Sequence, residues 1–190
     1  AMSCDLKVEI DVDGDRLDSF LGLYYRTMDR LLANKKYYFN KSYFQAINEK
    51  LKGNFAYFYV THKGIDIATK LVLVSDDKIY YFLGGSHEGY FRMRANEFLH
   101  YEIIKWGTRN GKKTYVLGGG YQLNDSLFLF KKGFAPDGNM PFKVGTKIYD
   151  QDVYNQLVKQ NEARNMSGAV SQADSEFFPR YRSGDNDYLI

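Results

Sequence analysis

Apolar positions along this chain recur first at helical spacing and then at strand spacing, and the change of period divides it into elements. Leu6, Val8, Ile10 and Val12 alternate with polar residues up to Gly14, which predicts a short edge strand or an ordered arm. Between Arg16 and Ala33, the residues Leu17, Phe20, Leu21, Tyr24, Met28, Leu31 and Leu32 return every three or four positions, the stripe of an amphipathic helix. Asn34-Lys35-Lys36 interrupts it. A second helix opens at Asn40 or Ser42, carries Tyr43, Phe44, Ile47 and Leu51 on one side, and stops at Gly53.

The period then shortens. Phe55–Thr61, Ile65–Val74 and Ile79–Leu83 read as strands separated by turns at His62-Lys63-Gly64 and Ser75–Lys78, an antiparallel meander that Gly84-Gly85 closes. A strong helix over Ala95 to about Arg109 presents Ala95, Phe98, Leu99, Ile103 and Trp106 to a core. Glu102 shares that side, either tied by a hydrogen bond or catalytic. The strand Lys113–Leu117 can run parallel to an earlier one, because a full helix intervenes. Pro141–Tyr149 alternates as a further strand, and Asp150 caps a last helix carrying Val153, Tyr154, Leu157 and Val158. Residues 161–176 read as a polar linker, and Phe177–Arg182 is apolar enough to dock back. The fold class is therefore α+β, one mixed sheet covered by helices. A single domain is expected over 1–190, with its core at about 16–158 and a C-terminal extension over 161–190.

The stretch Tyr115–Phe134 is the most unusual. Its strand ends at Gly118-Gly119-Gly120, where bare backbone can turn sharply or be approached closely. Asp125 then N-caps a short aromatic helix. Leu127, Phe130 and Phe134 share one arc of it, Lys131 falls inside that arc, and Leu129 lies opposite. A lysine within an apolar stripe must snorkel, pair, or line a cavity, and the spacing alone leaves these open.

Composition changes the picture little. At 190 residues and 22.1 kDa the chain suits one well-buried domain. Its net charge of +3 fits a phosphate-bearing ligand but supplies no contiguous basic stripe, so DNA is not an expected partner. Tyrosine and phenylalanine are abundant at 17 and 14, which favours wide amphipathic surfaces in a core or groove. Cys4 is the sole cysteine, and His62, His87 and His100 lack metal-ligand spacing, so neither a disulfide nor a metal is expected. No secretory signal or transmembrane segment is readable, and a cytoplasmic location is expected.

The segments FLGLYYRTMDR, YYFNKSYFQAI, YYFLGGS, ANEFLHYEIIKWGTRNGKKTYVLGGG, DSLFLFKKGF, VGTKIYD and YNQL, taken in order, resemble the acyl-CoA N-acyltransferase (GNAT) fold over residues 16–158. More narrowly they look like the FemAB-type aminoacyltransferases that build peptidoglycan cross-bridges. The resemblance implies a mixed, mostly antiparallel sheet with flanking helices. It also implies transfer of an aminoacyl or acyl group to an amine of a cell-wall precursor or related glycoconjugate. The donor would be aminoacyl-tRNA or acyl-CoA, with no tightly bound cofactor. Phe130 and Lys131 match the Phe-Lys pair of the FemAB pattern, which implies that they contact the aminoacyl end and steady charge at the ester carbonyl. FemAB enzymes carry two such domains, so this chain corresponds to the carboxy-terminal repeat, with a missing amino-terminal repeat or a homodimer as possible complements. Acetyl-CoA enzymes present a Q/R-x-x-G-x-G/A turn before the helix that here starts at Ala95, whereas this turn reads HEGYFRMRAN. Arg92, Arg94 and the N–H groups at Ala95 and Asn96 either hold a phosphate or are surface charge. Gly118, Gly119, Gly120 and Tyr121 are the further substrate-binding candidates. An acetyl-CoA-dependent small-molecule N-acetyltransferase and a non-catalytic binding domain are the alternative readings.

Overall fold

The computed structural model describes residues 5–120, 124–166 and 177–183. The chain divides into two compact units, Ala1–Asp137 and Gly138–Ile190. In the first, β1 (Leu6–Asp11), α1 (Leu17–Arg30), α2 (Lys41–Lys50), β2 (Phe55–His62), β3 (Ile65–Val74), β4 (Lys78–Ser86), α3 (Ala95–Arg109), β5 (Thr114–Val116) and α4 (Ser126–Lys132) follow in order. The five strands form one sheet in the order β1-β2-β3-β4-β5. All neighbours are antiparallel except β4 and β5, which run parallel.

Strand alternation sorts the core onto two faces. Phe55, Tyr57 and Tyr59 of β2 meet Leu17, Phe20, Leu21 and Tyr24 of α1 and Phe44 and Ile47 of α2. On the other face Ala56, Phe58 and Val60 meet Ala95, Leu99 and Ile103 of α3. Both faces of β2 are therefore covered, and Phe55–Thr61 is buried throughout. Removing each such aromatic or aliphatic side chain from water contributes roughly 1.5–3 kcal/mol. Asn40, not Ser42, caps α2, its side chain accepting from the Tyr43 N–H at 2.9 Å.

Two bulges re-aim the middle of the sheet. Val60 pairs with Ala68 but Thr61 with Asp66, which leaves Ile67 extra and turns both Ile67 and Ala68 toward α3. Leu71 pairs with Leu83 but Val72 with Tyr81, so Phe82 is extra in β4. That second bulge lies just past the last β4–β5 pair, Tyr80 with Val116. Beyond it β4 continues to Ser86 along β3, with its other edge unpaired among the described residues, so β4 and β5 part.

Gly84-Gly85 does not close the meander as the sequence predicts; both lie inside β4. The reason is the approach of α1. A Cβ on Gly85 would sit 2.3 Å from the Leu23 carbonyl oxygen, and the Ser86 N–H donates to Thr27 Oγ1 at 2.9 Å. On α4, Asp125 caps as expected, accepting from the Phe128 N–H at 2.7 Å. Leu127, expected in the inward arc, is 45% exposed, because a helix this short turns only Phe130, Lys131 and the following Phe134 toward α3.

In the second unit the expected strand over Pro141–Tyr149 is absent; these residues have no partner strand, and Phe142 is 92% exposed. Alternation without a neighbour to bond cannot make a sheet. Helix α5 (Gln151–Met166) runs through part of the segment expected as a linker. Phe178 and Tyr181 pack on Tyr154, and Asn161 Nδ2 donates to the Ser183 carbonyl at 2.8 Å, so the Phe177–Arg182 segment docks on α5 as expected. Among the described residues no helix is long and apolar enough to cross a membrane.

Because the α1–β4 contact is backbone against backbone, Gly85→Ala is expected to cost at least about 1–3 kcal/mol of stability, read as a lowered midpoint in urea. Gly53→Ala meets no neighbouring atom and carries only the strain of its positive φ. A Gly85→Ala protein as stable as the parent would show that α1 can withdraw at little cost.

Candidate active site

Where β4 and β5 separate, β3, β4, β5, α3 and α4 bring together side chains far apart in sequence. Lys131 is 9% exposed, and its Nζ donates to the Gly119 carbonyl at 2.6 Å. It does not snorkel to water and, among the described residues, pairs with no carboxylate; it bonds main chain just past the end of β5. Gly118 reaches this position with φ +69, and a Cβ on Gly120 would lie 2.1 Å from Asp125 Oδ1. The glycines thus allow the chain to fold back against α4.

The Lys131 ammonium lies 5.4 Å from the centre of the Tyr81 ring, and the Lys70 ammonium lies 4.5 Å from the same ring. Lys70 is 1% exposed, and its Nζ donates to Asn96 Oδ1 at 2.5 Å. No salt bridge neutralises either lysine among the described residues. Burial lowers the Lys70 pKa to about 7, helped by the charge of Lys131 and opposed by Glu97. Lys131 is lowered too, chiefly by burial, with Asp125 opposing. Burial alone raises Tyr81 to about 12, so its hydroxyl stays protonated.

His100 completes the cluster. It is 1% exposed, shares a hydrogen bond of 3.0 Å between Nδ1 and the Tyr115 hydroxyl, and touches the rings of Tyr81, Phe130 and Phe134. Burial, then Lys70 and Lys131, drives its pKa to about 2, so it is neutral. Burial also raises the Tyr115 hydroxyl, which therefore stays protonated.

Beside this cluster lies a cavity of about 300 Å³ at the start of α3. Its walls are Arg30 of α1, Ile67 of β3, Ser86 of β4, the turn carrying His87, Tyr90, Phe91 and Arg94, the first α3 residues Ala95, Asn96 and Glu97, and Phe130 of α4. Arg94 enters α3 in the left-handed region (φ 52), and no side chain caps the helix. Its first N–H groups and the Arg30 and Arg94 guanidinium groups outweigh the single Glu97 carboxylate at this mouth. His87 Nδ1 accepts from the Gly89 N–H at 3.1 Å, and the Arg26–Glu88 ion pair anchors the same turn to α1.

Of the candidates drawn from sequence, Phe130, Arg94, Ala95 and Asn96 border the cavity, while Lys131, Gly118, Gly119 and Gly120 lie at the parting of the strands. Arg92 is exposed and does not border the cavity, and Tyr121 lies outside the described residues. Glu102, weighed as a catalytic group, is bonded to Lys105 at 2.8 Å. The sequence pattern does not mark Lys70, Tyr81, His100, Tyr115 or Arg30 as site residues. A lysine amid ATKLVLV and a histidine on the Asn96–Ile103 face of α3 were the available signals.

Residues 2–143 match the family described as "Acetyltransferase (GNAT) domain". The chain belongs to that family. Among solved structures, an aminoglycoside acetyltransferase from an uncultured soil metagenomic sample, in complex with sisomicin, superposes on this GNAT domain with a TM-score of 0.57 at 14% identity, over 76% of this chain and 97% of that one. The aminoglycoside acetyltransferase AAC(6')-Iy, bound to a CoA bisubstrate analogue, gives 0.54 at 12% identity over 76% and 98%. The ribosomal-protein-S18-alanine N-acetyltransferase of Escherichia coli gives 0.51 at 15% over 68% and 77%. These likenesses establish the fold. No curated protein matches in sequence.

The neutral buried histidine makes a pH prediction. The unfolded chain protonates His100 below about 6.5, whereas the folded GNAT domain does not, so acid favours unfolding. This group should remove about 1.4 kcal/mol of stability per pH unit below that value. Urea melts between pH 7.5 and 5 should show a gentler decline in His100→Gln than in the parent. Equal slopes would mean that His100 titrates alike in both states.

Proposed function

We propose that this GNAT domain transfers an acyl group from acyl-CoA to the amine of a small molecule or peptide. The observation that carries this reading is the cavity at the uncapped start of α3, next to the unpaired edge of β4. The N–H groups of the first α3 turn, with Arg94 and Arg30, suit the phosphates of the carrier. The outer-edge N–H and C=O groups of β4 beyond Tyr80, unpaired among the described residues, suit an extended arm bearing amides, which can bond them as a further strand would. This directs the thioester toward Tyr81 and Lys131.

There the amine nitrogen attacks the thioester carbonyl carbon. The new C–N bond forms, the C–S bond breaks, the nitrogen loses a proton and the departing thiolate gains one. The Lys131 ammonium, held among rings rather than in water, stabilises negative charge on the carbonyl oxygen. The Tyr81 hydroxyl, protonated at any physiological pH, is a proton source for the thiolate.

A second reading takes aminoacyl-tRNA as donor and the amine of a cell-wall precursor as acceptor, as in FemAB enzymes. It is favoured by the Phe130-Lys131 pair flanking cavity and strand parting, and by HEGYFRMRAN lacking the second glycine of acetyl-CoA enzymes.

Thermal melting separates the two. Acyl-CoA use predicts a melting temperature raised by several degrees with CoA in excess, and no such rise in Arg94→Glu. In transfer assays with acetyl-CoA and a panel of amines, Lys131→Ala is expected to lower kcat by about 10²–10³-fold. Full activity in a folded Lys131→Ala protein removes its assigned role. Stabilisation by aminoacyl-tRNA with indifference to CoA favours the second reading.

A further inference from the structure

Asn96 stands on the first turn of α3 and borders the cavity, while its Oδ1 is taken by Lys70 from within the fold. An ammonium is a donor only, so the amide must turn its oxygen inward and its NH2 outward. No described residue bonds that NH2. We propose that Lys70 is a positioning residue that locks the polarity of Asn96, so that the Asn96 amide presents its two N–H donors to a phosphate or carbonyl oxygen of the cavity's ligand. This rests on the reading of the cavity as the acyl-CoA site.

The geometry explains why a fully buried cation is kept without a carboxylate partner. A carboxylate at Lys70 would neutralise it, but at position 96 it would offer only acceptors to an anionic ligand. An amide bonds the ammonium on one side and donates on the other. The lock is also reversible. Uncharged Lys70 can accept as well as donate, and both orientations of the Asn96 amide then become available. The charged and titratable groups around Lys70 are Lys131 from α4, which disfavours its charge, and Glu97 from α3, which favours it. Tyr81 from β4 and His100 from α3 are both neutral. Since Lys70 loses its proton near pH 7, the lock weakens as pH rises through neutrality.

The test is isothermal titration of the intact protein with CoA between pH 6 and 8.5, with melting temperatures recorded in parallel. Asn96→Asp is the informative variant. Its carboxylate suits both the ammonium of Lys70 and the start of a helix, so its melting temperature should equal or exceed that of the parent. Its CoA affinity should fall at least tenfold. Asn96→Ala should lose several-fold, and Lys70→Met should lose a similar factor. The parent should bind CoA several-fold more weakly at pH 8.5 than at pH 6, and Lys70→Arg, which keeps its charge, should reduce that dependence. An Asn96→Ala protein that binds CoA as the parent does, or a parent whose pH dependence matches Lys70→Met, overturns the inference while leaving the cavity's assignment intact. Failure of the parent to bind CoA at any pH overturns that assignment and the inference with it.

Discussion

An unpaired strand edge leaves its N–H and C=O groups open to a partner, and beyond Tyr80 β4 has no strand on its β5 side among the described residues. The extra residue at Phe82 bends β4 just after Tyr80 leaves Val116. From that point β4 is held by β3, by the packing of Gly85 and the Ser86–Thr27 bond under α1, and by the Tyr81 ring against His100 of α3. Its outer N–H and C=O groups face the gap that opens toward β5. The cavity at the start of α3, the inward-facing Lys131 and the fold-back of Gly118–Gly120 all lie near that departure.

The chemistry of the gap follows from how its charges are balanced. Two ammonium groups flank Tyr81, and each is bonded by a neutral oxygen, Asn96 Oδ1 or the Gly119 carbonyl. A buried cation held this way keeps much of its field, because Glu97 and Asp125 act on it from a distance without forming an ion pair. Burial, reinforced by that field, keeps His100 uncharged. The interior is therefore electropositive while its hydrogen bonds are satisfied, an arrangement suited to stabilising negative charge that appears only during reaction.

Much of this was legible in the sequence, and what was not has identifiable causes. The meander, the parallel return after α3 and the caps at Asn40 and Asp125 follow from period and local chemistry. Gly84-Gly85 reads as a turn because a glycine pair signals a turn as readily as a helix lying against a strand. The alternation in Pro141–Tyr149 has the period of a strand, but pairing is a property of neighbours. Lys131 was singled out because its helix carries it on an apolar arc. Lys70 interrupts a buried strand in the same way, but a run buried on both faces has no polar face against which a lysine stands out. Arg30 could not be paired with Arg94 without knowing that the end of α1 reaches the start of α3.

The partner of Lys131 carries one further consequence. A carboxylate would have fixed the lysine more strongly and removed the charge that the proposed reaction uses. A main-chain carbonyl is a weaker partner, and it belongs to a glycine loop free of side chains that would oppose movement. An acyl oxygen entering the gap can replace the Gly119 oxygen in the coordination of the ammonium, one neutral acceptor exchanged for another. The exchange then becomes favourable as that oxygen gains negative charge. In the proposed transferase the resting contact thus resembles the ground state more than the transition state, which is the asymmetry that acceleration requires.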